Sequence, residues 1–157
     1  MQDFSFVRRS MLRAVLFTPI LLAGCVGIGP QMPTASANFT PKGTYPLSFD
    51  EAWSKVIASL GANGIPIAAS SKETGQITSD YIAGSTTVGL MNTSSRYKYT
   101  LFLARAGAHS TTINITATLE SGSVNGGFHD VSAFNREMVA GLRNALYEKL
   151  EPSLLSP

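Results

Sequence analysis

Few side chains in this 157-residue chain have the type and spacing that support chemistry. The chain holds two histidines and one cysteine. His129 is followed by Asp130, and a histidine beside a carboxylate can act as a general base with its orienting partner. No serine lies in the strand-turn-helix pattern that would present a nucleophile to that pair. His109 precedes Ser110 in a stretch that reads as a hairpin turn, which makes it a solvated loop residue. Neither histidine has a second ligand at helical or hairpin spacing, so no metal site is expected. Gly122, Gly126 and Gly127 lack the Lys-Ser/Thr ending that holds phosphate, and no cofactor is expected. Asp130 also has a sufficient use as a helix cap. What remains is the thiol of Cys25.

Cys25 closes a leader-like segment. Arg8, Arg9 and Arg13 form a basic start, Ala14 to Leu22 an apolar run, and small residues follow, which are the three parts of an export signal. The run is too short to span a bilayer. Leu22, Ala23, Gly24 and Cys25 resemble the lipobox of bacterial lipoproteins. The resemblance implies that a signal peptidase recognises Leu22, Ala23 and Gly24 and cuts before Cys25. It also implies a diacylglyceryl thioether on the cysteine sulfur and, in many species, a third acyl chain on its amine. One acyl chain binds a membrane marginally, and each buried methylene adds roughly 0.8 kcal/mol, so two or three chains make a durable anchor. Val26 stands where Asp would favour inner-membrane retention. The resemblance therefore implies the periplasmic face of the outer membrane in a Gram-negative host and the cell membrane in a Gram-positive one. A plain secretion signal and a membrane-buried N-terminal helix are the other readings of this segment. Residues Val7 to Arg13 also resemble a twin-arginine leader, so the export route stays open.

Charge then excludes one class of partner. The formal net charge is +2. Removing residues 1–24 takes away three arginines and one aspartate, which leaves the mature chain neutral. A basic surface for nucleic acid is thus not expected. Residues 25–157 fit one domain with one core. With Cys25 acylated no thiol remains for a disulfide, and packing alone must stabilise the fold.

The expected organisation is a signal peptide over 1–24, an acylated cysteine with a Gly/Pro/Ser-rich tether over 25–43, and a single domain over 44–157. Thr44 to Phe49 reads as a short strand. Ser48 with Glu51 makes a capping box for a helix carrying Ala52, Trp53, Val56, Ile57 and Leu60 on one face, and Asn63-Gly64 ends it. Strands follow at Ile65 to Ala69 and Gln76 to Ile82. Arg96 to Arg105 and Thr111 to Glu120 form a hairpin. One face of that hairpin gathers Tyr97, Tyr99, Leu101, Leu103, Ile113, Ile115, Ala117 and Leu119. The other is polar apart from Phe102, so helices should cover one side only. Asp130 or Ser132 is expected to cap a last helix along Val131, Phe134, Met138, Leu142, Ala145, Leu146 and Leu150, with Pro152 ending it. The fold class is α+β, a two-layer sandwich of two helices on one face of an antiparallel sheet, in the order β-α-β-β-β-β-α.

Ala52-Trp53, Val56, Leu60, Gly64, Ile67, Thr74-Gly75, Ile77 and Asp80 follow a helix, a Gly turn, a hairpin with a polar-Gly turn and then an Asp. In this they resemble the opening of the domains in the lipoprotein subunit of the outer-membrane β-barrel assembly machinery. The resemblance covers about a quarter of the chain and implies a helix-grip architecture.

The function expected is a non-catalytic interaction or scaffolding module of the cell envelope, tethered to a membrane through Cys25 and meeting an envelope protein partner. One alternative is a periplasmic binding module for an apolar or lipid-like ligand, which a poorly filled core would favour. A second is a hydrolase using His129 and Asp130. Two stretches, Ala83 to Ser95 and Ser121 to His129, read as surface loops. If they bind a partner or ligand, Leu90, Met91 and Phe128 are its apolar contacts.

Overall fold

A computed structural model describes residues 31–36, 38–88, 91–123 and 126–156. They form an α+β fold with an open antiparallel sheet and two helices. The elements are β1 (Thr44–Tyr45), α1 (Phe49–Ala62), β2 (Ile67–Ser71), β3 (Gln76–Ser79), β4 (Ile82–Val88), β5 (Met91–Gly107), β6 (Ser110–Ser123), β7 (Gly127–Asp130) and α2 (Arg136–Leu155). The spine of the sheet runs β1-β6-β5-β3-β2, with β4 also on β5 and β7 also on β6.

The β5–β6 hairpin dominates. Its register places Arg96 opposite Glu120, Tyr97 opposite Leu119 and Leu103 opposite Ile113. All eight residues expected on the apolar face are buried, and Phe102 on the other face is 44% exposed. Strict alternation has this effect because successive strand side chains point to opposite faces.

Helix α1 begins where its sequence says. Glu51 N–H donates to Ser48 Oγ at 3.4 Å, and Ser48 N–H donates to a Glu51 carboxylate oxygen at 3.0 Å, which satisfies two orphan donors reciprocally. At the other end Ile65 N–H reaches Leu60 O and Gly64 N–H reaches Gly61 O, with Gly64 at φ +67°. This paired closure needs a left-handed residue, which glycine supplies without a Cβ penalty. Ala52, Val56 and Leu60 are buried, whereas Trp53 lies half-buried at the margin, its ring 6.1 Å from that of Phe49.

Several expectations are corrected. Phe49 opens α1, so the first strand is only Thr44–Tyr45; Pro46 follows and has no N–H to extend the ladder. The expected strand Gln76 to Ile82 is broken at Asp80 and Tyr81 into β3 and β4. The two stretches read as loops carry strands. β4 pairs with the start of β5 from Ile82↔Tyr97 to Val88↔Met91, and β7 pairs with the end of β6 from Glu120↔Asp130 to Ser123↔Gly127. The chain order therefore has six strands between the helices in place of four. The physical reason is that β5 and β6 run past the core, and their outer edges still need hydrogen-bond partners. Gly122 admits β7 closely: a Cβ there would fall 2.2 Å from Gly127 O.

The start of α2 is also corrected. Neither Asp130 nor Ser132 caps it; the cap is Asn135, whose side chain makes no capping bond. Ser132 Oγ instead accepts from Leu119 N–H at 2.9 Å, and Asp130 Oδ1 accepts from Ser132 N–H at 2.8 Å. Phe134 falls in the turn before the helix and is 89% exposed, so it is no part of the helix's apolar stripe. Pro152 lies inside α2, which continues to Leu155 and buries Leu154. Leu142, Ala145, Leu146 and Leu150 are buried as expected, joined by Tyr147. The Tyr147 hydroxyl donates to Ile113 O at 2.7 Å and accepts from Ile115 N–H at 3.1 Å, filling the β6 edge between β1 and β7. Burial pushes this phenol's pKa up.

Residues 31–36 and 38–43 lie along the domain. Met32 and Phe39 pack against the core. Ser36 donates through both its N–H and its hydroxyl to the Glu148 carboxylate, and Lys42 N–H donates to Glu151 Oε1 at 2.9 Å. The Tyr45 hydroxyl donates to the same Glu151 oxygen at 3.0 Å. This segment is a strap across α2, and it ends by passing Gly43 O to Ile113 N–H.

Candidate functional site

The outward face of the sheet near its β4–β7 end holds the most organised polar cluster. Hairpin register sets Arg96 against Glu120, and the guanidinium places Nε and one terminal nitrogen each 2.7 Å from Glu120 Oε2. The Tyr81 hydroxyl donates to Oε1 of the same carboxylate. The guanidinium carbon is 4.0 Å from the centroid of the Tyr81 ring and 4.3 Å from that of Phe128, so two aromatic rings flank one cation. Lys98 Nζ lies 4.8 Å from the Tyr81 ring. The Glu120 side chain is 14% exposed. The Tyr81 hydroxyl and then Arg96 hold its carboxyl below the usual glutamate range. The break at Asp80 makes this possible, since Tyr81 N–H turns back to Asp80 Oδ1 at 2.7 Å between β3 and β4.

This cluster binds charge to ring faces at the surface. Its one carboxylate is engaged by the Tyr81 hydroxyl and by Arg96 together. Sequence reasoning found Phe128 and missed Tyr81, Arg96 and Glu120 as its companions. A signal existed, because a short turn near His109 fixes which residues of the two strands face each other.

The other expected residues are dispersed. His129 is exposed on β7, with Nε2 3.2 Å from Gly126 O. Asp130 is exposed, and its bond to the Ser132 side chain and N–H keeps its pKa low. The Ser132 hydroxyl is occupied by the Leu119 backbone. His109 is exposed in the β5–β6 turn beside Ser110, the first residue of β6. Met91 is the first residue of β5, paired with Val88. Phe128 is 38% exposed. Leu22, Ala23, Gly24, Cys25 and Leu90 lie outside the described residues.

Among the described residues no group of three His, Cys, Asp or Glu side chains is placed to hold a metal ion, and no helix is long and apolar enough to cross a membrane. An open depression of about 410 Å³ lies at the start of α2 along Ala133 to Met138. It is a surface feature, separate from the core that Tyr97, Tyr99 and Leu146 fill. No protein-family model matches the chain, and no curated protein matches it.

Proposed function

We propose that this chain is a cell-envelope lipoprotein, anchored through acyl chains on Cys25 and using its α+β domain as a non-catalytic interaction or scaffolding module. The observation that carries the reading is Leu22-Ala23-Gly24-Cys25, behind a basic start and an apolar run, around the chain's one cysteine. In a Gram-negative host the anchor holds the domain at the periplasmic face of the outer membrane. The partner is an envelope protein, and nucleic acid is not one.

Two features support an interaction role over catalysis, and a third supports it over a carrier. His129 and Asp130 are turned to solvent, each with its own backbone partner. Ser132, which bonds Asp130 through its N–H, uses its hydroxyl to tie β6 to the turn before α2. The core is occupied by its own side chains, with Leu60, Leu101, Leu142 and Leu150 fully buried, which argues against a carrier cavity. We also read the domain as a two-layer helix-grip arrangement. The burial of the inward β5 and β6 side chains with those of α1 and α2 in one cluster supports that reading.

The test is a Cys25→Ala variant expressed in a bacterial host with labelled fatty acid. The wild-type protein should take up label and float with membranes, whereas the variant should stay unlabelled and keep residues 1–24. Label retained in the variant, or a wild-type protein that stays in the aqueous fraction, contradicts the proposal.

A further inference from the structure

The seated strap leaves a short leash. Met32 is held where a Cβ on Gly84 would come within 3.0 Å of its Cγ and 3.6 Å of the Tyr97 ring. Six residues separate Met32 from Cys25, which makes seven Cα-to-Cα steps. Whatever their conformation, they reach at most about 25 Å. The strap thus reduces the free length expected for a tether over 25–43 by more than half.

Where the leash leaves the domain matters more than its length. Met32 sits toward the β4–β7 end of the long hairpin. From Tyr97 to the far turn at Gly107 is ten residues of strand, about 33 Å. An upright domain with its far turn on the bilayer would lift Met32 farther from the surface than the leash extends. With the β4–β7 end down, the leash is ample.

The end nearest the leash also has a composition suited to a membrane interface. Residues 82–95 and 121–128 contain no Asp, Glu, Lys or Arg. No charge there must be stripped of water when the end approaches a membrane interface. Just behind that end stand Phe128, Arg96 and Tyr81, exposed or half-exposed rings around a cation, side-chain types suited to the headgroup zone. The far turn, residues 106–110, is likewise free of Asp, Glu, Lys and Arg, and behind it Lys72 pairs with Asp50 at 2.9 Å and Arg105 lies over the Phe49 ring, with no aromatic pair flanking a cation as at Arg96.

We infer that the β4–β7 end of the domain rests against the bilayer that holds the Cys25 acyl chains, and that the β5–β6 turn end faces away, toward the partner. The inference rests on the proposed acyl anchor. It reassigns Met91 and Phe128, considered above as contacts for a partner or ligand, to the lipid-facing end.

The test exploits the lone native cysteine, which acylation removes from thiol chemistry. The full-length acylated protein is made with Ser94→Cys at the near end or Ala108→Cys in the far turn; both positions are exposed. Each variant is labelled with a fluorophore and reconstituted in phosphatidylethanolamine/phosphatidylglycerol vesicles containing lipids with a nitroxide on the headgroup. Quenching at position 94 should exceed that at position 108 severalfold. Equal or reversed quenching in protein that floats with the vesicles overturns the orientation while leaving the anchor intact. Protein that does not float overturns the anchor, and the orientation with it. A second form carries about twelve Gly/Ser residues inserted before Gln31, which adds a flexible coil of roughly 20 Å root-mean-square length. It should lose most of the quenching at position 94 with its circular dichroism unchanged. Unchanged quenching in that form contradicts a leash as the cause.

Discussion

The two halves of the β5–β6 hairpin are built from different materials and held by different forces. Between Tyr97 and Leu103, and between Ile113 and Leu119, one face is apolar and buried under α1 and α2. Beyond Arg96 and Glu120 the strands are Ser, Thr and Gly apart from Met91 and Asn92, held by β4, β7 and a partly exposed cluster of charge and rings. The first half owes its order to the hydrophobic effect, about 25 cal/mol for each Å² of apolar surface removed from water. The second owes it to ladder hydrogen bonds, each contributing about 1 kcal/mol net. The lesson is that one continuous pair of strands can join a stable anchor to a weaker platform, with substitutions in the two halves expected to differ in scale.

The strongest way to break the comparison is in the core. Leu146→Ala removes a side chain 1% exposed and should destabilise the domain by about 2–5 kcal/mol in urea unfolding. A loss near zero would mean that α2 is not part of the cooperative unit. Tyr147→Phe leaves Ile115 N–H and Ile113 O on the β6 edge without their partner. It should cost about 1–3 kcal/mol. Exposure-level losses, within about 0.5 kcal/mol, would show that water replaces the hydroxyl freely.

In the outer half the effects should be smaller and local. Gly122→Ala puts a methyl against Gly127 O and should speed amide exchange in β7 while leaving protection at Leu101 and Ile113 unchanged. Arg96→Ala should cost about 1 kcal/mol or less, since the ion pair is partly exposed. Its pH dependence sharpens the point. The folded pKa of Glu120 is depressed, so the cluster's contribution is present above the unfolded glutamate value and lost as pH falls through the folded one. The stability gap between wild type and Arg96→Ala should therefore close below about pH 4. A gap that persists in acid would assign the effect to ring packing instead of charge. The strap follows the same sign, because Ser36 holds the Glu148 carboxyl low. Protection of the Ser36 amide should weaken in acid, as exchange measurements would show.

The inner half was legible in the sequence because its signals are periodic. Alternation from Tyr97 to Leu103 and the Ser48/Glu51 and Gly64 pair around α1 each state a local rule that the fold obeys. The outer half was not, because Ala83 to Ser95 has no apolar alternation. Residues 83–88 become a strand by pairing with the start of β5, a tertiary cause that leaves no mark in period. Phe134 shows the opposite failure: it is in phase with the α2 stripe, yet the Ser132 hydroxyl is drawn to Leu119 and the helix starts one turn later. Tyr147 was overlooked because its value lies in a phenol oxygen reaching a strand edge. The strap was read as tether because Met32 and Phe39 are isolated apolar residues among Gly, Pro and Ser.

The account depends most on what is attached to Cys25, and the intact mass of the native protein purified from membranes in detergent reads this directly. The expected result is a polypeptide beginning at Cys25 with the added mass of two or three acyl chains and the glyceryl group. A chain that begins at another residue, or a Cys25 with an unmodified thiol, would contradict the account.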